Sequence, residues 1–168
     1  MRITSLAIAA ALTVASLSAS LHGQRPDDEI DAKSVQLLEQ ARAARTAGNL
    51  EGAIDLAETA VTVDPRNRAG FVLLAQMADQ RDLPGKAIRF YREALLLEPN
   101  DVVALKGQGE ALVKKGAVNA AQANLARIKT LCRGVCPEAQ TLAGVIAKGP
   151  PVTTAQAQPK TASPEVKN

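Results

Sequence analysis

Residues 64–101 read DPRNRAGFVLLAQMADQRDLPGKAIRFYREALLLEPND. The stretch opens on Asp64-Pro65 and returns to Glu98-Pro99 after 34 residues. Proline fits poorly inside a helix and restricts the residue before it, so each acidic-Pro pair marks a break. A fixed period of this size is the signature of stacked supersecondary units.

Other residues fall into step when the chain is aligned on those prolines. Ala53, Ala87 and Ala121 share one column, Ala60 and Ala94 a second, and Leu37, Phe71 and Leu105 a third. Ala41, Ala75 and Gly109 form a further column, as do Ala57, Tyr91 and Leu125. Turn positions recur at Gly48, Asp82 and Gly116. Two antiparallel helices per unit account for this arrangement. Small side chains at Ala41/Ala53, Ala75/Ala87 and Gly109/Ala121 let paired backbones approach closely, and the bulky column fills the space between. Caps fall where helices should begin: Asn49, Asp82, and Asn100 or Asp101. The pattern predicts helices near 32–47, 50–63, 67–81, 83–97, 101–115 and 118–131, with a seventh near 137–147.

These columns resemble the tetratricopeptide repeat (TPR) family. The second unit, near 68–101, carries Phe71, Leu74, Ala75, Ala87, Tyr91, Ala94 and Pro99 at the family's pattern positions, with Ala78 where an aromatic is preferred. The first unit, near 34–67, keeps Leu37, Ala41, Ala53, Ala60 and Pro65 but has Gln40 and Ala44 where bulk is expected. The third, near 102–135, keeps Leu105, Gly109, Leu112, Ala121 and Leu125, but places Ile128 in a small-residue column and Arg133 where proline belongs. The resemblance implies an all-α, TPR-like α-solenoid of about three helix-turn-helix repeats with a C-terminal capping helix at 137–147. One helix pair cannot bury its apolar side alone, so neighbours bury it jointly and the outer elements are more polar. A non-repetitive helical bundle is the competing reading, because an Ala-rich chain produces some of these matches by accident.

Composition agrees with helices. Hydrophobic residues are 46% and charged residues 22%, which is globular material, while aromatics are only 2% and leave little to fill a sheet's pleated faces. The apolar share is mostly Ala and Leu, the residues that cost a helix least. Lys and Arg number 20 against 17 Asp and Glu, with the signs interleaved, so no one-sided basic face argues for nucleic acid.

The two ends read differently from the middle. Met1-Arg2, the apolar run Ile3 to Leu17 and Ser18-Ala19-Ser20 have the order of a secretory signal peptide, 1–20, with Gly23 as another edge for cleavage. A retained anchor is the rival, although the run falls short of the about 20 apolar residues that span a bilayer. No stable membrane insertion is expected after cleavage. Residues 21–30 read as a flexible lead-in holding the single His22, and 31–148 as the repeat domain. Gly149-Pro150-Pro151 should stop the last helix, and 149–168 reads as a disordered tail with no apolar periodicity.

Cys132 and Cys136 stand in Leu131-Cys132-Arg133-Gly134-Val135-Cys136-Pro137-Glu138. Gly134 suits a left-handed position past a helix end, and Pro137 the first position of the next helix. A disulfide here would staple the cap across a short turn, and export permits oxidation. Exported bacterial repeat proteins share a similar pattern, Leu-Cys-x-x-x-Cys-x-Glu followed by Leu. Redox or metal handling through the pair is the alternative, since copper-delivery proteins of the thioredoxin-like class carry Cys-x-x-x-Cys-Pro. Those depend on a strand-to-helix context and a distant His, neither of which is evident.

The resemblance also implies a concave groove lined by the first helix of each pair. Its positions map to Leu38, Arg42 and Arg45, then Val72, Gln76, Asp79 and Gln80, then Lys106, Glu110 and Lys114. The family's carboxylate-clamp type needs Lys and Asn that Leu38, Val72, Gln76 and Glu110 do not supply. No nucleophile-base set, phosphate loop or metal-spaced cluster is found, so the reading is a non-enzymatic scaffold without cofactor or metal. Its expected partner is an envelope-associated protein or peptide, in the periplasm.

Overall fold

The computed structural model describes residues 29–151. The expected signal peptide, residues 21–28 of the lead-in with His22, and the tail from 152 onward lie outside the described residues. Within them the chain forms α1 (Ala32–Thr46), α2 (Leu50–Val63), α3 (Arg68–Gln80), α4 (Pro84–Leu97), α5 (Val102–Lys114), α6 (Val118–Leu131) and α7 (Pro137–Lys148), with no strand. Helices pair as α1 with α2, α3 with α4 and α5 with α6, and successive pairs stack through α2–α3 and α4–α5 contacts. The first helices also touch one another, α1 to α3 and α3 to α5, whereas α2, α4 and α6 do not meet. The stack therefore curves with its first helices on the inner side.

Small residues set the spacing. Ala41, Ala53, Ala75, Ala87 and Ala121 are completely buried where paired helices face each other, and so are Ala57, Ala60, Ala94 and Ala104. Larger side chains fill the gaps around them: Leu38, Ile54, Leu73, Leu74 and Met77 in the first cluster, and Val72 and Tyr91 in the second.

The turns inside each pair share one backbone solution. Gly48, Asp82 and Gly116 all have positive φ, at 83°, 52° and 77°. The chain reverses through a single left-handed residue, and Asp is among the few non-glycine residues that tolerate it. Asp82 consequently does not cap α4, contrary to the sequence expectation. Leu83 occupies that position without a side-chain bond, and Pro84 in the first turn has no amide hydrogen to satisfy. Side-chain caps form at α2, α3 and α5, where Asn49 accepts from Gly52 N, Asn67 from Gly70 N, and Asp101 from Val103 N and Ala104 N, whereas α6 and α7 begin without one.

The end of α2 clasps the start of α1. The buried Asp64 carboxylate accepts from Asp31 N at 2.8 Å, from Arg66 N and Nε at 3.0 Å, and from Arg66 Nη2 at 2.9 Å. Beside it the fully buried Ser34 hydroxyl donates to Ala60 O at 2.7 Å and accepts from Asn67 Nδ2 at 2.8 Å. The Arg66 side chain, helped by the Asp31 amide, holds the Asp64 carboxyl well below the usual carboxylate range.

The third pair departs from the repeat where α7 docks. Ile128 is fully buried against Leu105, Ala139 and Leu142, so the bulk that breaks the small-residue column fills the seat of the cap. A Cβ added to Gly109 would lie 2.6 Å from Leu142 Cδ2, which makes glycine the space into which the cap leucine fits. Cys132 ends α6 and Cys136 precedes α7, paired as a disulfide with Cα atoms 6.0 Å apart. Gly134 is not left-handed as the sequence suggested, since it is absent from the positive-φ residues. The chain leaves α6 through extended backbone at Cys132 and enters α7 through extended backbone at Cys136, so no left-handed residue is needed. Gly149, with φ 74°, does terminate α7.

Two outcomes are expected. Leu142→Ala should cost about 2–5 kcal/mol in urea unfolding, because the cap leucine cannot be replaced by collapse around a glycine. Asp64→Asn should be most destabilising at neutral pH. The folded carboxyl is depressed, so its contribution is complete above the ordinary carboxylate value of about 4 and fades as pH falls below it. Urea midpoints of the two proteins at pH 7 and pH 3 should therefore converge on acidification.

Candidate functional site

The inner faces of α1, α3 and α5 enclose a trough made of two joined hollows. One, of about 240 Å³, is lined by Arg42, Arg45, Arg68, Ala69, Val72, Leu73, Gln76 and Val103. The other, of about 500 Å³, is lined by Arg45, Gln76, Asp79, Gln80, Tyr91, Val103, Lys106 and Glu110. Arg45, Gln76 and Val103 form the wall common to both.

The groove residues expected from sequence fall here as follows. Arg42, Arg45, Gln76, Asp79, Gln80, Lys106 and Glu110 line the trough directly. Lys114 reaches its edge, where its Nζ lies 3.2 Å from Asp79 Oδ1. Leu38 is only 4% exposed and packs into the first core cluster, so it is not a groove contact. It faces α2 and α3 because that side of α1 must be apolar for the first pair to stack. Val72 is also a core residue, yet its edge forms part of the floor.

Charge along the trough is uneven. Lys106 pairs with Glu110 at 3.5 Å one turn away on α5, and Lys114 pairs with Asp79 across α3 and α5. At the other hollow Arg42 pairs with Glu39 at 2.6 Å and Arg68 with Asp101. Arg45 differs. Its Nη1 donates to Gln76 Oε1 at 2.8 Å, and among the described residues no carboxylate lies within ion-pair distance of it. Partly exposed pairs of this kind contribute little to stability and are readily exchanged for a ligand's charges.

Sequence reading missed five lining residues: Arg68, Ala69, Leu73, Val103 and Tyr91. Arg68 could have been found from its offset to Asp101 across one repeat. Tyr91 sits in a column whose other members, Ala57 and Leu125, have no polar atom, so only the odd hydroxyl signalled it. It is 4% exposed, and a Cβ on Gly107 would fall 2.3 Å from its hydroxyl oxygen. The bare Gly107 backbone thus opens the path by which a core tyrosine reaches the trough. Among the described residues the hydroxyl has no hydrogen-bond partner, and it is not sealed from solvent. Burial pushes the phenol well above its usual range, and the Asp79 and Glu110 charges add to this.

No three His, Cys, Asp or Glu side chains among the described residues are gathered to hold a metal ion. No helix among them is long and apolar enough to cross a membrane.

The chain matches no family model and no curated protein. Solved structures do match its fold. The first TPR domain of Spaghetti (RPAP3), bound to the HSP90 peptide SRMEEVD, superposes with a TM-score of 0.65 at 20% identity, covering 71% of this chain and 94% of that one. The second TPR domain of human RPAP3, in complex with the HSP70 peptide SGPTIEEVD, gives 0.64 at 19% identity over 68% of this chain and 95% of that one. The Arabidopsis OM64 TPR domain gives 0.63 at 17% identity over 69% and 95%. The architecture is accordingly an all-α, TPR-like solenoid.

Tyr91 is the only tyrosine in the chain, so an alkaline absorbance titration reports it alone. Phenolate should be nearly absent at pH 11, where an ordinary phenol of pKa about 10 is mostly ionised. The unfolded chain ionises first, so stability should decline as pH rises above about 10. A normal titration curve in the folded protein would show the ring to be exposed.

Proposed function

We propose that this protein is an exported, non-enzymatic scaffold that holds a segment of an envelope-associated protein in its concave trough. The observation that carries the reading is the trough itself. Charged and amide side chains from α1, α3 and α5 converge on one open cleft beside the apolar edges of Val72 and Val103. Its lining groups can bind, and they include no nucleophile with a base beside it. Peptide capture by TPR domains of the same architecture is consistent with this use. Those domains hold peptides ending in EEVD. The clamp expected for such a terminus is not reproduced here, where Leu38 is buried and Val72, Gln76 and Glu110 stand at the corresponding positions.

Export is proposed from the n-region, apolar run and small-residue edge of 1–20, and the Cys132–Cys136 pairing suits an oxidising compartment. We read the pair as structural. It closes a short loop between α6 and α7 and contributes under about 3 kcal/mol by chain entropy.

Cross-linking in intact cells should recover a discrete envelope partner. Alanine at both Arg42 and Arg45 should reduce that capture several-fold without changing the helical circular dichroism. Capture that is unaffected by the double variant would remove the trough from the binding function.

A further inference from the structure

The trough's two ends differ in a way that selects a ligand. The smaller hollow presents Arg42, Arg45 and Arg68 and no carboxylate in its lining. The larger one has its acids, Asp79 and Glu110, already matched to Lys114 and Lys106. Arg45 stands between them as the guanidinium with only an amide partner. Beside it, at the bottom of the larger hollow, the buried Tyr91 offers a hydroxyl that no other described residue uses.

Neither feature is required by the fold. Ala57 and Leu125 fill the Tyr91 column in the neighbouring units, so the hydroxyl is surplus to packing. The hydroxyl opens to the trough, where water satisfies it until an acceptor on a ligand takes that place. Arg45 is held by its bond to Gln76 with further N–H groups left over, and a guanidinium fork matches a carboxylate bidentately.

We propose that Arg45 and Tyr91 form a two-point recognition site for an acidic segment of the partner. In it an internal Asp or Glu side chain enters the arginine hollow and pairs with Arg45. A backbone carbonyl of the same segment, passing into the larger hollow, accepts the Tyr91 hydroxyl proton as a hydrogen bond. This refines the groove-binding function proposed above and rests on it. The carboxylate assigned to Arg45 is a side chain within the segment, because Leu38, Val72, Gln76 and Glu110 stand where a clamp for a terminal carboxylate would need Lys and Asn.

The test is a binding screen of the full chain against N-acetylated, C-amidated octapeptide pools with one position fixed as Glu, Gln or Lys. Pools with a free C-terminal carboxylate run in parallel. Glu pools should be retained over Gln and Lys pools whether or not the terminus is free. For the best Glu peptide, Arg45→Gln should weaken binding at least about tenfold and make Glu and Gln peptides equivalent. Tyr91→Phe should weaken it about fivefold for Glu and Gln peptides alike, with an unchanged melting temperature. Retention governed only by the free terminus, preference for Lys pools, or wild-type affinity in both variants would each overturn the two-point site while leaving groove binding intact. Failure of every pool to bind would remove the groove-binding reading as well.

Discussion

Contact between helix backbones across alanine and glycine is the constraint on which the structure depends. Ala41 and Ala75 are completely buried and Gly109 lies against the Leu142 side chain of α7, so a larger side chain at any of these points would push elements apart. Close approach brings the surrounding leucines, Met77 and Tyr91 into mutual contact, and removal of their apolar area from water supplies the driving force. The same small columns make successive pairs stack alike, so one geometric rule is applied three times. Curvature follows, because the first helices touch along the inner side while the second helices stand apart on the outer one.

A repeating stack must stop, and this one stops by changing its small-residue code. Ile128 replaces the alanine of the preceding units, and Leu142 of α7 occupies the space above Gly109. The disulfide fixes the short connection from α6, so the cap is held by packing on one side and by a covalent bond on the other. At the opposite end polar bonding does comparable work. Asp64 gathers the Asp31 amide and Arg66, and Ser34 bridges Ala60 and Asn67, tying the first turn of α1 to the loop that follows α2.

The trough inherits its character from what the helices do not need for stacking. Polar positions of α1, α3 and α5 that face inward are free to carry arginines, amides and acids, and most are matched locally across adjacent turns or helices. Arg45 has an unmatched charge and Tyr91 an unmatched hydroxyl, and the Gln80 amide beside them is also without a partner among the described residues. Arg45 stands at the common wall of the two hollows and Tyr91 in the larger one beyond it.

Sequence alone determined the period, the helix pairs and the turn positions, because these rest on local rules. The 34-residue return, the small columns and the left-handed sites at Gly48, Asp82 and Gly116 each follow from backbone sterics that act within a few residues. Family-derived groove positions placed Arg42, Arg45, Gln76 and Asp79 on one face for the same reason, since helical periodicity fixes which side chains share a side. Tertiary structure decided the rest. Leu38 lies in the core rather than the groove because α2 and α3 both pack upon it. Tyr91 reaches the trough only because Gly107, on a different helix, leaves the space open. Such contacts join residues of separate units, and a repeat pattern read along one chain has no term for them.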